Sequence, residues 1–127
     1  PGEIFVMRNV ANLVPPYAPS ESYHGASAAL EFAVTGLGIS HILVLGHARC
    51  GGITASLAGT DKESFIGHWL GILDETRQNI NASATKEAQQ EALEKAGIGQ
   101  SILNLMSFPF IAKRVNTGLL SLHGGLG

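Results

Sequence analysis

The sequence is short of the residues that mark several common classes of protein. Its 127 residues include a single cysteine, Cys50, so no disulfide can form within the chain, and that thiol is left for metal binding, nucleophilic chemistry or burial. The apolar runs are all far shorter than the ~20 residues that a membrane-spanning helix needs. Eight Lys and Arg face ten Asp and Glu, and the cations form no cluster, so the chain lacks the basic patch on which nucleic acids bind. We therefore expect neither nucleic acid nor a membrane as a partner.

Charged residues of either sign are scarce, at 14% of the chain, whereas apolar residues make up 45%. A small domain usually carries more charge on its surface, so we expect partner subunits to cover part of it. At this length one compact core is the default, and we expect a single domain over residues 1–127. The lone thiol fits a reducing compartment, which favours the cytoplasm and leaves an organelle as the alternative.

Hydrophobic periodicity predicts an α/β domain with a mainly parallel central β-sheet flanked by helices. The aliphatic run over residues 41–46 is bounded by glycine and predicts a central strand that is buried on both faces. Shorter runs at 4–7 and 119–122 predict further strands. Helix-spaced apolar residues predict six helices, the fourth of them facing solvent, over residues 27–37, 53–57, 63–79, 85–95, 98–106 and 110–116.

The residues best suited to metal binding or catalysis lie in residues 46–52, GHARCGG, which follow the predicted central strand. Open α/β sheets bind ligands at the carboxyl ends of their strands, so the position favours a functional site. His47 and Cys50 lie three residues apart around a tight turn, and this spacing allows an imidazole nitrogen and a thiolate to meet at one tetrahedral zinc ion. The spacing alone leaves two alternatives open, a nucleophilic cysteine and an inert buried thiol.

Three segments that occur in this order resemble the β-class carbonic anhydrases. They are residues 2–12, GEIFVMRNVAN, residues 31–34, EFAV, and the GHARCGG turn. Residues 104–110, NLMSFPF, and 120–124, LSLHG, are similar to later parts of the family, and residues 12–17, NLVPPY, resemble its plant-like branch. The resemblance implies the α/β fold of that family and the reversible hydration of carbon dioxide to bicarbonate and a proton.

The resemblance also implies a Zn²⁺ held by two cysteines and one histidine, with water or hydroxide as the fourth ligand. His47 and Cys50 match the second half of this set. In the family the other cysteine, with a catalytic Asp and Arg pair, lies in a Cys-x-Asp-Ser-Arg motif shortly before the segment matched by residues 2–12. That motif belongs to the family's first strand, which these 127 residues lack. We therefore expect none of the family's catalytic residues in this chain, and a natural subunit that is longer at both ends.

The resemblance assigns roles to other matched positions. A zinc of this kind lowers the pKa of its bound water towards ~7, so hydroxide is available at neutral pH to attack carbon dioxide. Phe5 and Phe32 match positions that line the substrate cleft, and Gly51 is a candidate backbone N–H donor to bicarbonate. Arg8 helps to hold a regulatory bicarbonate in some bacterial relatives but looks structural in plant-like members, and we expect the structural role. Taken alone, the two phenylalanines indicate core residues and the glycine indicates a turn.

Two other functions remain open. A closely related zinc hydrolase would share the metal site and act on another small substrate, such as carbon disulfide. A non-catalytic remnant without a complete zinc site would serve only as a partner in oligomers, with Cys50 buried and inert. For the enzyme we expect a homodimer or a higher homo-oligomer, because the family's active sites lie at subunit interfaces.

Overall fold

A computed structural model of the protein describes residues 2–20 and 23–127, and Pro1, where the predicted domain begins, lies outside the described residues. Its sheet consists of two strands, β1 (His41–Gly46) and β2 (Ser121–Leu126), which pair in parallel over their full length. Parallel neighbours need a long crossover, and the helices between the two strands supply it. The α/β class predicted from the sequence is thereby confirmed.

The rest of the regular structure in the described residues is helical, with a π-helical turn at Phe32–Gly36 and tighter turns at Val10–Asn12 and Gly71–Leu73. The α-helices are α1 (Gly25–Glu31), α2 (Gly51–Ala58), α3 (Phe65–Leu70), α4 (Asp74–Gln78), α5 (Lys86–Met106) and α6 (Pro109–Asn116). Helices α1, α2 and α6 lie where the periodicity predicts helices, so those three predictions are confirmed.

The middle of the chain differs from its prediction in the number of helices. The helix predicted over residues 63–79 is broken into α3, a tight turn and α4, so that prediction is wrong in its continuity. The two helices predicted over residues 85–95 and 98–106 are a single helix, α5. Glycine usually weakens a helix interior by about 1 kcal/mol. Gly97 is buried in the middle of α5, beside Leu73, and this packing keeps the helix continuous.

Helix α5 runs through the domain rather than along its surface. Leu93 is fully buried and Glu94 nearly so, which makes the prediction of a solvent-facing helix at 85–95 wrong. Further along, Ile98 packs on the sheet at Gly124 of β2, where a Cβ would lie 2.6 Å from Ile98 Cγ2. Helix α5 thus contributes to two hydrophobic cores, one with the sheet, α1 and α6 and the other with α2 and α3. In the described residues no helix, α5 included, has the length and hydrophobicity to span a lipid bilayer.

The strand predictions are confirmed for β1, shifted for β2 and wrong for residues 4–7. Residues 4–7 form no strand, because no described segment lies alongside to share a ladder of hydrogen bonds with them. The strand predicted at 119–122 begins two residues later than expected. The N–H groups of Leu119 and Leu120 donate to the Arg114 carbonyl, at 2.9 and 3.2 Å, and so finish α6 before β2 begins.

One face of β1 is uncovered. Val44 is buried, whereas its neighbours Leu43 and Leu45 point the other way and are 60% and 57% exposed. The prediction that β1 is buried on both faces is therefore wrong for the described chain. The reason is that α5 packs on the Val44 face, and no described element covers the face that carries Leu43.

Candidate metal centre

The carboxyl end of β1 leads into the GHARCGG turn, and the backbone of that turn is closely confined. A Cβ at Gly46 would lie 3.1 Å from Ile98 Cδ1 and 3.2 Å from Asn12 Oδ1, so the last residue of the strand has little room for a side chain. Arg49 has a φ of 58°, a left-handed conformation that residues other than glycine seldom adopt. Cys50 follows it and is the residue just before the first turn of α2. The turn thus places its cysteine at the start of a helix.

Gly52 allows the RNVAN segment, residues 8–12, to lie against the first turn of α2. A Cβ at this position would lie 2.8 Å from Val10 Cγ1 and 2.9 Å from Ala11 Cβ, which is too close for carbon atoms in van der Waals contact. Gly51 is different, because a Cβ there would meet nothing within 4 Å. Its backbone N–H is one of the groups at a helix start that have no partner within the helix. Its predicted role as an anion donor stays a prediction.

His47 is exposed, and one of its ring nitrogens is already engaged. Its Nδ1 lies 2.9 Å from the carbonyl oxygen of Ala48. Because a carbonyl can only accept, Nδ1 carries the proton of the neutral ring and Nε2 keeps its lone pair. Histidines that bind metals commonly hold their tautomer in this way, by donating the other ring N–H to a carbonyl. In the neutral ring, Nε2 of His47 is therefore the nitrogen that can bind a metal.

Cys50 is buried, and its backbone is tied to α5. Its N–H donates to Glu94 Oε2 at 3.2 Å, and its carbonyl accepts from Gln90 Nε2 at 3.0 Å. Gln90 Nε2 also donates to the same Glu94 oxygen at 2.8 Å, so the two side chains form one network. The sequence pattern predicts neither residue at the site, since it places both in a segment expected to face solvent. The one signal available is their spacing of four residues, which puts them on the same face of the helix.

The donors fit half of a zinc site. Zinc binds neutral imidazole nitrogen and thiolate sulfur, and His47 Nε2 and the Cys50 thiol are donors of these two kinds. Within residues 2–20 and 23–127, no three or more His, Cys, Asp or Glu side chains are grouped so that they could hold a metal ion. A third protein donor would have to come from outside the described residues. The assignment of His47 and Cys50 as ligands stays a prediction.

The RNVAN segment beside the turn is strained and held in place by its own side chains. Ala11 and Asn12 have φ values of 66° and 45°, in the left-handed region that favours glycine. The Asn9 amide spans this bend, because its Oδ1 accepts from the Leu13 N–H at 2.8 Å and its Nδ2 donates to the Leu13 carbonyl at 2.9 Å. A single side chain thus closes the bend through both backbone groups of one residue.

Helix α5 also bonds to the end of this segment and to Val14, two residues beyond it. Ser101 Oγ donates to the Asn12 carbonyl at 3.0 Å and accepts from the Val14 N–H at 3.3 Å. Asn104 Nδ2 donates to the Val14 carbonyl at 2.7 Å. One helix therefore bonds to both motif segments, to the GHARCGG turn near its start and to the RNVAN segment near its end.

The two predicted substrate-binding phenylalanines lie together. The rings of Phe5 and Phe32 pack edge to face, with centroids 6.0 Å apart and planes at 66°, and both are partly exposed. The side chain of Arg8 is exposed and makes no hydrogen bond or ion pair with the residues that the structure describes. It lies on the wall of an open groove of about 600 Å³, with Phe65 and Trp69, and neither predicted metal ligand lines that groove. The predicted structural role of Arg8 thus rests on no observed polar contact.

Comparison with known proteins identifies the family of this chain. The family model described as carbonic anhydrase matches residues 1–126. Beta carbonic anhydrase 5, chloroplastic, of Arabidopsis thaliana is 42% identical over 133 residues, and beta carbonic anhydrase 3 of the same plant is 37% identical over 131 residues. These alignments cover 98% and 97% of this chain but 43% and 50% of the two relatives. The chain therefore spans about half the length of the curated relatives that it matches.

Solved structures show the same relationship in three dimensions. A Coccomyxa β-carbonic anhydrase in complex with acetazolamide matches with a TM-score of 0.83 at 30% identity, over 99% of this chain and 57% of that one. The β-carbonic anhydrase CcaA gives a TM-score of 0.80 at 30% identity, over 98% and 63%. A tetrameric β-carbonic anhydrase from the ascomycete Sordaria macrospora gives 0.81 at 26% identity, over 99% and 64%. Together with the family model and the plant relatives, these matches show that the chain belongs to the carbonic anhydrase family, in its β class.

Proposed function

We propose that this chain forms the histidine and cysteine half of a zinc enzyme that hydrates carbon dioxide reversibly to bicarbonate and a proton. The observation that carries the proposal is the GHARCGG turn, which joins an imidazole with a free Nε2 to a buried thiol three residues further on. The family and its relatives bear the name carbonic anhydrase, and no observation favours the carbon disulfide alternative or the non-catalytic alternative.

In this proposal His47 Nε2 and the Cys50 thiolate hold Zn²⁺. Bound zinc supplies a water molecule of lowered pKa, so hydroxide is available near neutral pH. The Ala48 carbonyl keeps the imidazole proton on Nδ1 and so leaves Nε2 free for the metal. Glu94 and Gln90 hold the backbone of the cysteine.

Carbon dioxide is small and apolar, whereas bicarbonate is an anion. The chain has an apolar surface that suits the first and an N–H donor that suits the second. The edge-to-face pair of Phe5 and Phe32 presents a partly exposed aromatic surface for carbon dioxide. The N–H of Gly51, at the first turn of α2, has no partner within the helix and suits the negative charge of bicarbonate. The motif positions and the local geometry support these roles.

The proposal places the second cysteine and the catalytic Asp and Arg pair on a further strand of a longer natural subunit. Within the described residues β1 pairs with β2 along one edge only, and residues 4–7 pair with no other segment. Soluble proteins rarely leave such strand edges open. A strand that carries the Cys-x-Asp-Ser-Arg motif and lies between them would bring a second thiolate to the carboxyl end of β1.

The proposal also includes a homodimer or a higher homo-oligomer. The uncovered face of β1 exposes Leu43 and Leu45, and Phe65 on α3 is fully exposed. Leu43 and Leu45 share one face of a strand, and Phe65 lines an apolar groove with Ile66 and Trp69. Apolar patches of this kind often mark an interface. The Sordaria macrospora enzymes in the structural comparison are tetrameric, which supports the same expectation for this chain.

Metal analysis and carbon dioxide hydration, measured on the natural-length protein, test the proposal. The wild type should carry one zinc per subunit, and either Cys50→Ser or His47→Ala should remove a ligand. The loss of zinc affinity and of hydration should then exceed the roughly 10–100-fold that follows loss of an outer-shell partner. His68→Ala changes an exposed histidine of α3 and should leave both values unchanged. A wild type without zinc, or a Cys50→Ser variant with full activity, would refute the proposal.

A further inference from the structure

A buried carboxylate that has no cationic partner among the described residues is hydrogen-bonded to the predicted ligand Cys50. Glu94 is 6% exposed. The ion pairs found in the described residues join Lys62, Arg77 and Lys95 to other acids and do not include it. Burial of a carboxylate without a nearby cation is unfavourable, so its hydrogen bonds have to offset that cost. The partners of those bonds therefore indicate the role of Glu94 in the structure.

The hydrogen bonds of Glu94 converge on one residue of the GHARCGG turn. Its Oε2 accepts from the Cys50 N–H and from Gln90 Nε2, at 3.2 and 2.8 Å. The same Gln90 nitrogen donates to the Cys50 carbonyl at 3.0 Å. An amide nitrogen has two protons, so it can serve both acceptors at once. Two side chains of α5 thus hold both backbone groups of a residue that lies 44 positions earlier than Glu94 in the chain.

This geometry bears directly on the thiol. Cys50 has extended backbone angles, with a φ of −64° and a ψ of 121°, immediately before α2 begins. A metal ligand has to be held within about 0.5 Å of its productive position by the groups around it. We infer that Glu94, together with Gln90, is a positioning residue that sets the Cys50 thiol for metal binding, an inference that rests on the proposed zinc function.

The contacts separate this role from simple packing. Leu93, the preceding residue, is fully buried and already fills the core under the turn. A leucine at position 94 would occupy much the same volume as Glu94 but would leave the Cys50 N–H without an acceptor. A glutamine there keeps an acceptor oxygen of the same reach. Glu94→Leu and Glu94→Gln should therefore differ sharply, although both remove the charge.

The first readout is the alkylation of Cys50 by iodoacetamide in the natural-length protein after its metal is removed. Trypsin releases the thiol in its own peptide, residues 50–62, so mass spectrometry follows this site alone. Glu94→Leu should speed alkylation about tenfold or more, as expected when a hydrogen bond to a charged acceptor is lost. Glu94→Gln should stay within about twofold of the wild type. Glu91→Leu changes an exposed acid one turn earlier on α5 and is the matched control, with no effect expected.

The second readout is zinc affinity, measured by competition with a chelator. Glu94→Leu should weaken it roughly 10–100-fold, the loss typical of a group that orients a ligand, and Glu94→Gln should keep most of it. Gln90→Ala removes the donor to the Cys50 carbonyl but leaves Glu94 in place. It should act in the same direction by a smaller factor, and it serves as the test variant if thermal unfolding shows that Glu94→Leu does not fold.

The outcomes separate this inference from the function on which it rests. A folded Glu94→Leu variant with wild-type alkylation and wild-type zinc affinity would overturn the positioning role. A Glu94→Gln variant that loses as much zinc affinity as Glu94→Leu would also overturn it, because the retained acceptor oxygen would then have no effect. A wild type that binds no zinc would instead contradict the proposed function, and the alkylation rates would still report whether Glu94 holds Cys50.

Discussion

At the scale of single residues, unusual backbone conformations are concentrated in the two motif segments. Ala11, Asn12 and Arg49 are the residues other than glycine that have a positive φ in the described part of the chain. Each such conformation costs on the order of 1–3 kcal/mol and persists only where the surroundings enforce it. The bonds from Asn9 and from α5 supply that enforcement for the RNVAN segment. Strain of this kind, gathered beside a predicted metal ligand, is typical of a functional site.

Gly52 gives a direct test of the contact between these segments. Gly52→Ala should lower the free energy of unfolding by about 1–3 kcal/mol, because the added methyl group would overlap Val10 and Ala11. Gly51→Ala is the matched control and should change it by less than about 0.5 kcal/mol, since a Cβ there meets no atom. Urea denaturation measures both values. A loss for Gly52→Ala that is as small as the one expected for Gly51→Ala would show that the RNVAN segment moves away from α2 at no cost.

At the scale of elements, the sequence pattern predicts a helix or strand correctly where neighbouring residues alone determine it. The aliphatic run of β1 and the helix over residues 110–116 were both predicted, since the length of a run and the helical spacing of apolar residues need no knowledge of the fold. Helix α5 was predicted as two helices because residues 85–95 have only a weak apolar side, whereas residues 98–106 have a distinct apolar face. What joins them is packing against residues far away in the sequence, and periodicity within a short window carries no information about that.

The link between α5 and the RNVAN segment leads to a prediction for Asn104. Asn104→Ala should lower the free energy of unfolding by about 1–3 kcal/mol, because the buried Val14 carbonyl would lose its donor. Leu103→Ala, at a position that is 68% exposed on the same helix, should cost less than about 0.5 kcal/mol. Hydrogen exchange followed by mass spectrometry should show faster exchange over residues 8–14 in the first variant only. Faster exchange in both variants would mean that α5 itself had loosened.

At the scale of the whole molecule, the sequence led to the family and hence to a paired role for His47 and Cys50. It could not reveal the Glu94 network, because that contact joins residues 44 positions apart and depends on how α5 lies against the turn. It also predicted burial on both faces of β1, whereas one face is open. An aliphatic strand sequence indicates that both faces of the strand are buried, but it does not show which segment or subunit buries each face.

The open face and open edge of β1 predict how the 127-residue chain behaves by itself. Exposed strand edges and apolar patches promote association, so the chain should form large or mixed assemblies at micromolar concentrations. Leu43→Lys should reduce this association, because a lysine on an edge strand opposes pairing with another strand. Leu103→Lys adds the same charge at a similarly exposed position on α5 and should have much less effect. Size-exclusion chromatography with light scattering distinguishes the outcomes. Equal effects of the two lysines would assign the change to net charge, and a monomeric wild-type chain would show that the face of β1 needs no partner.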